Sequence, residues 1–403
     1  MKRPVLVLGA VPRTATVIAR SLHAHGIPVD VVATSALEPR LASRAIRHCT
    51  QVPASDLAPN QFVDSLCTLL RKNQYDMLIP ANDNALLATT HHYEELKKFV
   101  HLASPPPHIV NRVLDKSVTL DIARKCGLRV PQTFTVTDSP QLAQQASHLR
   151  FPVILKPGEK VRHEEFKVRR LDSANEIARI FPGHRVFSPA MLLQEYCPGE
   201  GLGVEILIHE GECVAVFQHR RLKELPYTGG IGVVAISEAP DPELVRSSMT
   251  LLRALEWEGV AMVEFRHDPV NRSTSLMEVN GRYWGTLSLA IQAGIDFPFY
   301  HWQVAHGQRP RVPPHYAVGL RCRWTAGYIR RLRNILPTCF FSRTSASSRR
   351  DLLGSPRDFA SSVRDFLWSD SDPMPALFEL ATTFRDLAAA DLRSLRQRLL
   401  PPF

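Results

Sequence analysis

No stretch of about 18 uncharged apolar residues occurs anywhere in the 403-residue sequence, so nothing in it reads as a membrane-spanning helix. Cysteine is sparse and irregular. The seven residues at 49, 67, 126, 197, 213, 322 and 339 are odd in number and include no Cys-x-x-Cys pair. That argues against a disulfide framework or a zinc site and points to a reducing, cytoplasmic setting. Lysine is missing from residues 309–403, where 16 arginines face 8 acidic residues, so this stretch carries +8 of the net +10. The rest of the chain is nearly neutral, which argues against a nucleic-acid-binding core. Glycine is scarce where a dinucleotide site needs it. After the first apolar run the sequence reads Gly-Ala-Val-Pro-Arg-Thr (9–14), without the second and third glycines of G-x-G-x-x-G. The opening MKRPVLVLGA has a basic-then-apolar order, but the apolar part is only a strand's length and Arg13 follows it. It reads as a first strand rather than a signal peptide.

What is present is layered. The length suggests two to four domains. Apolar runs at 5–10, 29–34 and 76–81 alternate with helical spacing at 14–26, 62–73 and 83–99. Strand, helix, strand at these spacings describes right-handed parallel units, an open α/β layer over the first ~110 residues. Three prolines at 105–107 punctuate its end, and 108–127 reads as a helical piece. From 151 the pattern changes to short strands. FPVILKP (151–157) is a buried strand carrying Lys156 near its end, and AMLLQEYCPGEG (190–201) is a strand running into a turn. Residues 203–223 form a hairpin turning at HEGE. A helix over 241–259 precedes two strands, 260–268 and 273–285, joined by DPVNR.

Polar residues stand out against these apolar strands. Glu264 interrupts VAMVEF and Glu278 interrupts SLMEVN. Paired on adjacent antiparallel strands, the two carboxylates would repel unless something positive lay between them. In LMEVNGRYWGT (276–286), Glu278, Asn280 and Arg282 fall on alternate positions, which an extended strand turns to one face, with Val279, Gly281 and Tyr283 opposite. An oxygen-rich set of this kind suits Mg²⁺. Surface salt bridges to Arg266 and Arg282 are the plainer explanation for either glutamate alone. Lys116 and Lys156 are point charges suited to phosphate. RRLKELPYTGGIG (220–232) is a basic strand running into a Gly-rich loop that could admit phosphate or substrate, or could be an ordinary flexible hairpin.

The order of these pieces is an α/β domain, then LDK, a strand ending in lysine, LLQEYCPG, a strand with Glu, and Glu-x-Asn-x-Arg. It resembles the ATP-grasp superfamily, especially the carboxylate–amine ligase and carbamoyl-phosphate-synthase-like branch, over about residues 1–308. The resemblance implies that Lys116 and Lys156 contact ATP phosphates, and that Glu195 with the backbone at Tyr196 and Cys197 lines the adenine pocket. It implies that Glu205 touches the nucleotide or ribose. Glu264 and Glu278 would bridge two Mg²⁺ (or Mn²⁺) ions, with Asn280 ligating one. Arg282 would stabilise charge on the transferred phosphoryl group, and Arg221 with the TGGIG loop would close over the acyl phosphate. At 158–170 the chain is charged where many members have a Gly/Ser-rich phosphate-covering loop.

The resulting architecture is a Rossmann-like domain (1–112), then an α+β ATP-grasp domain (113–308) with a small lobe to about 190 and a large lobe after it. A mostly helical basic region (309–403) follows. The implied chemistry joins a small-molecule carboxylate to an amine through an acyl phosphate, with ADP and phosphate as the other products. Carboxyphosphate chemistry, as in carboxylases and carbamoyl transfer, and a catalytically inactive ATP-binding regulator are the alternatives. The basic tail reads as a solvated helical cap, or as a face for weak contact with an anionic membrane or polymer.

Overall fold

The structure is a computed structural model and describes residues 2–34, 41–55, 57–158, 168–226, 230–341 and 354–399. Three sheets organise it. The first is parallel, formed by β1 (Val5–Leu8), β2 (Val29–Ala33), β3 (His48–Gln51), β4 (Met77–Pro80) and β5 (His101–Leu102), in the order β3-β2-β1-β4-β5. Strands β1, β2 and β4 are buried at every residue, as continuous apolar runs in a helix-covered parallel sheet should be. Strand β3 is mostly polar and exposed, so no apolar pattern announces it. The expected 108–127 helix is two helices, Pro107–Leu114 and Lys116–Lys125. The break is at Asp115, whose carboxylate accepts the backbone N–H groups of Ser117 and Val118 and so caps the second helix.

A small antiparallel sheet follows, ordered β6-β9-β7-β8 from β6 (Thr133–Asp138), β7 (Val153–Pro157), β8 (Arg169–Leu171) and β9 (Val186–Glu195). It has a core of its own, including Val136, Leu155, Phe181, Phe187 and Met191. The third sheet has seven strands: β10 (Glu200–His209), β11 (Glu212–Leu225), β12 (Ile231–Glu238), β13 (Gly259–Asp268), β14 (Ser273–Asn280), β15 (Arg321–Arg323) and β16 (Val363–Asp365). Their order is β14-β13-β10-β11-β12-β15-β16. Between β10 and β11 the turn residues Glu210 and Gly211 both have positive φ, 50° and 74°, the two-residue turn whose twist matches the flanking strands.

The C-terminal region is mostly helical, over Thr325–Phe341 and Met374–Leu399, and adds two strands that the sequence reading did not include: β15 and β16 extend the large sheet, with β15 antiparallel to β12 and β16 parallel to β15. Each strand has three residues and one buried apolar side chain, Cys322 or Val363, too short for alternation to show. The region also shares a core with the first domain. Ile18 and Leu22 of helix Pro12–Ala24 belong to the same apolar cluster as Trp284, Leu287 and Phe297, and as Trp324, Tyr328 and Phe366. Two of the tail's arginines are spent inward. Arg331 is buried and donates to the Glu224 carbonyl at 2.9 Å, and Arg323 donates to the Asp358 carbonyl at 2.8 Å.

Asp358 is the tightest of these anchors. Its carboxylate lies 2.8 Å from Lys223 Nζ on β11 and accepts the Tyr328 hydroxyl at 2.7 Å, with Asp358 and Lys223 side chains 7% and 12% exposed. Removing one partner of such a pair strands the other charge. Asp358→Ala is expected to cost about 3–5 kcal/mol in urea unfolding. A loss below about 1 kcal/mol, the worth of an exposed pair, would show that the C-terminal region is only loosely attached.

Candidate active site

The polar face begins with a register. Glu264 on β13 stands directly opposite Glu278 on β14, and Met262 stands opposite Asn280, with a bulge next to Glu264 that leaves Met277 outside the pairing. On the other side of β13, Glu264 faces Gly203 of β10, and Gly203 faces His219 of β11. Residues of adjacent strands in register share a face, so Glu278, Glu264, His219 and, two positions along β11, Arg221 point the same way. The opposite face carries Val263, Phe265, Leu276 and Val279, packed against helices Pro107–Leu114, Lys116–Lys125 and Pro242–Ala254.

Asn280, Arg221 and Lys116 approach the two carboxylates. Asn280 Nδ2 donates to Glu264 Oε1 at 2.7 Å and to Glu278 Oε1 at 3.1 Å. Arg221 lies 2.5 Å from Glu264 Oε2, and Lys116, at the start of its helix, reaches over the edge strand to within 4.0 Å of Glu278 Oε2. The Arg221 stem crosses β10 and β12 where both are glycine: a Cβ on Gly201 would meet Arg221 Cδ at 3.0 Å, and one on Gly232 would meet Cγ at 3.3 Å. Burial by itself lowers the pKa of Arg221, but Glu264, Glu224 and Glu278 more than offset it and the net shift is upward.

Arg282 departs from the strand expectation. Strand β14 ends at Asn280, and Arg282 lies in the following loop. Its NH2 donates to Asp83 Oδ2 at 2.9 Å and its NH1 to the Tyr283 carbonyl at 3.1 Å. Asp83 opens helix Asp83–His91 just after β4, so the first domain supplies the partner that orients this guanidinium. Burial opposes the charge on Arg282, and Asp83 and the two glutamates restore it, raising the pKa overall. Asp83 did not stand out in the sequence. The available signal was topological, because β1 lies between β2 and β4, where the strand order switches from one side of β1 to the other, at the strand ends where α/β sheets bind ligands.

Glu205 does not reach this opening. It is fully buried on β10 between Met262 and Phe217, 2.8 Å from His219 Nδ1, and its Oε1 accepts Thr286 Oγ1 at 3.2 Å. Burial pushes its carboxyl pKa up, and His219 offsets part of that. The loop after Asn280 covers it, which places Glu205 beneath the site as a structural pair with His219. Lys156 is 8% exposed on β7, and two residues on, the Gly158 carbonyl accepts the Lys116 backbone N–H at 3.2 Å. Glu195, Tyr196 and Cys197 lie on the link between the small and large sheets. Glu195 Oε2 accepts the Gln132 N–H at 3.2 Å, Arg170 stacks 4.8 Å over the Tyr196 ring, and burial pushes the Cys197 thiol up. Residues 159–167 of the charged segment and 227–229 of the Gly-rich loop fall outside the described residues.

A family model described as "ATP-grasp in the biosynthetic pathway with Ter operon" matches residues 187–328, which contain every one of the acidic and arginine groups of this face except Asp83. Solved structures match over most of the chain. The L-amino acid ligase from Bacillus licheniformis aligns at 18% identity and TM-score 0.59, covering 75% of this chain and 74% of that one. The chain has the ATP-grasp fold. The biotin carboxylase domain of Hydrogenobacter thermophilus 2-oxoglutarate carboxylase, solved with MgADP, ADP and bicarbonate, aligns at 14% identity and TM-score 0.62, covering 80% and 74%. N5-carboxyaminoimidazole synthetase from Staphylococcus aureus aligns at 14% and 0.59, covering 80% and 82%. No curated protein matches the sequence.

Within this ATP-grasp fold the two glutamates are held differently, which separates them energetically. Glu264 neutralises a well-covered guanidinium at 2.5 Å, whereas Glu278 has a lysine at 4.0 Å and is 25% exposed. Glu264→Gln is expected to lose about 1–3 kcal/mol of unfolding free energy, and Glu278→Gln less than about 1 kcal/mol. Equal losses in paired denaturation curves would show that Arg221 is not what distinguishes them.

Proposed function

We propose that the protein is an ATP-dependent ligase that activates a carboxylate as an acyl phosphate and joins it to an amine, releasing ADP and phosphate. The observation that carries this reading is the facing pair Glu264 and Glu278, bridged by Asn280 and ringed by Arg221, Lys116 and Arg282 on an ATP-grasp scaffold. Two carboxylates and an amide form a hard-oxygen donor set, and an Asn side chain turned about its last torsion offers oxygen in place of N–H. These residues would hold Mg²⁺ or Mn²⁺. Bound there, the cation would supply charge neutralisation for the nucleotide phosphates.

The chain's own groups do the rest. Lys116 and Lys156 hold phosphate oxygens as point charges, and the link at 195–197 lines the base. A carboxylate oxygen takes the γ-phosphoryl group and ADP departs. The amine nitrogen then bonds to the acyl carbon, the C–O bond to phosphate breaks, and the amine gives up a proton. Arg282 presents a planar fork to the negative charge that develops on the transferred group, held in place by Asp83. Carboxyphosphate chemistry on the same scaffold is the competing reading, and a requirement for bicarbonate would favour it.

The test is ADP and phosphate release over a panel of amino acids, polyamines and sugar acids, offered singly and in pairs. Release is expected only with an acid–amine pair and a divalent cation; AMP and pyrophosphate as products would remove the mechanism. With an active pair in hand, Arg282→Lys should lower kcat by ~10²–10³ and leave ADP affinity within a few-fold. Val279→Ala on the opposite face is the control, costing ~1–3 kcal/mol of stability with kcat little changed.

A further inference from the structure

Arg13 is the second residue of helix Pro12–Ala24, which starts where β1 ends. Its guanidinium is closely packed. The Trp324 indole lies over it, with its centroid 3.8 Å away, and the backbone of Gly285 adjoins it, where a Cβ would come within 3.0 Å of Arg13 NH1 and 3.2 Å of its Cζ. Trp324 is itself fixed. Its Nε1 donates to Glu379 Oε2 at 2.9 Å, and the ring lies so close to Gly327 that a Cβ there would meet it at 2.0 Å. Two glycines, an indole and a glutamate therefore determine where one guanidinium sits.

The donors of that guanidinium are scarcely used. A guanidinium has five N–H groups, all in its plane, so stacking on the indole leaves its edge for hydrogen bonding. Among the described residues Arg13 makes one bond, from NH1 to the Gly285 carbonyl at a long 3.4 Å. Burial pulls its pKa down to about 10, against the pull of Glu379 and Asp365, so it stays charged at neutral pH. Those two carboxylates are committed elsewhere, Glu379 to Trp324 and Asp365 to Thr325 and the Leu367 and Trp368 amides. Desolvating a cation is costly, Glu379 and Asp365 recover part of that cost, and an arriving anion would recover more. The side chain as a whole is only partly buried.

The position connects this guanidinium to the site. Gly285 is three residues beyond Arg282, and Arg13 and Asp83 are the charged groups that the ends of β1 and β4 bring to the loop carrying both. The nucleotide phosphates are already provided for by Lys116 and Lys156. We infer that Arg13 is a specificity residue that receives a carboxylate of the substrate other than the one being activated, in a bidentate, in-plane contact. The inference rests on the ligase reading and narrows its substrate class to compounds with an additional carboxylate. The competing account is a cation–π clamp that only joins the first domain to the C-terminal region.

The experiment titrates the full-length protein, saturated with ADP, against two matched pairs of probes, succinate against butyrate and alanine against alaninamide. In one pair the member with the additional carboxylate is expected to bind at least about tenfold tighter. A response to the first pair puts that carboxylate on the acid substrate, and a response to the second puts it on the amine. Arg13→Gln should abolish the preference and Arg13→Lys should keep part of it, both with ADP affinity within about twofold of wild type. If Arg13→Gln does not fold, Trp324 reports in the wild-type protein: the preferred probe should shift its emission, and Trp324→Phe should lose that shift. An unchanged preference in Arg13→Gln, or no preference in either pair with wild type, overturns the proposal while the ligase reading stands. Wild-type protein that fails to bind ADP removes the ligase reading and this inference with it.

Discussion

Two like charges placed face to face on neighbouring strands set the terms for the rest of the molecule. Glu264 and Glu278 are fixed by the β13–β14 register and cannot separate without breaking the sheet. Their repulsion is met by the Asn280 amide between them, by Arg221 from one side and by Lys116 from the other. Each of these needs its own support. Arg221 needs Gly201 and Gly232 beneath it, and Lys116 needs the Asp115 cap that begins its helix beside the edge strand. The result is a site whose charges balance locally before any ligand arrives.

The same sheet face is core at one end and site at the other. Phe217 and Met262 pack into the cluster that contains Trp284, Leu287 and the first domain's helix, whereas Arg221, Glu264 and Glu278 lie toward the opening. Glu205 and His219 mark the boundary. They are fully buried and paired with each other, with Thr286 donating to Glu205 from the loop above. The C-terminal region serves the same face from farther along, because Asp358 and Arg331 hold the strand that carries Arg221.

The buried strands of the parallel sheet, two strands of the small sheet and the acidic pair could be read from the sequence, because each rests on a pattern within one or two strands. Val5–Leu8 and Met77–Pro80 are apolar without interruption, and Glu264 and Glu278 break otherwise apolar strands. What escaped depends on contacts between distant segments. Glu205 shares the strand context of a site residue, and only the loop over it makes it internal. Arg282 follows the alternation of β14 in sequence, but the strand ends two residues earlier and Asp83, 199 positions away, decides its direction. Strands β15 and β16 owe their existence to the exposed edge of β12, which their own three residues do not encode.

The small sheet has a core separate from the one that unites the first domain, the large sheet and the C-terminal region. Residues 195–199 are one of its tethers to the large sheet, and Gly199 passes so close to the His267 carbonyl that a Cβ would lie 1.9 Å from it. Lys156 belongs to the small sheet, whereas Lys116 rides on a helix packed against the large one. The two lysines thus sit on different cores, joined where the Lys116 backbone N–H donates to the Gly158 carbonyl. A ligand held by both, as the proposed function requires, would span the two cores and add a second link between them.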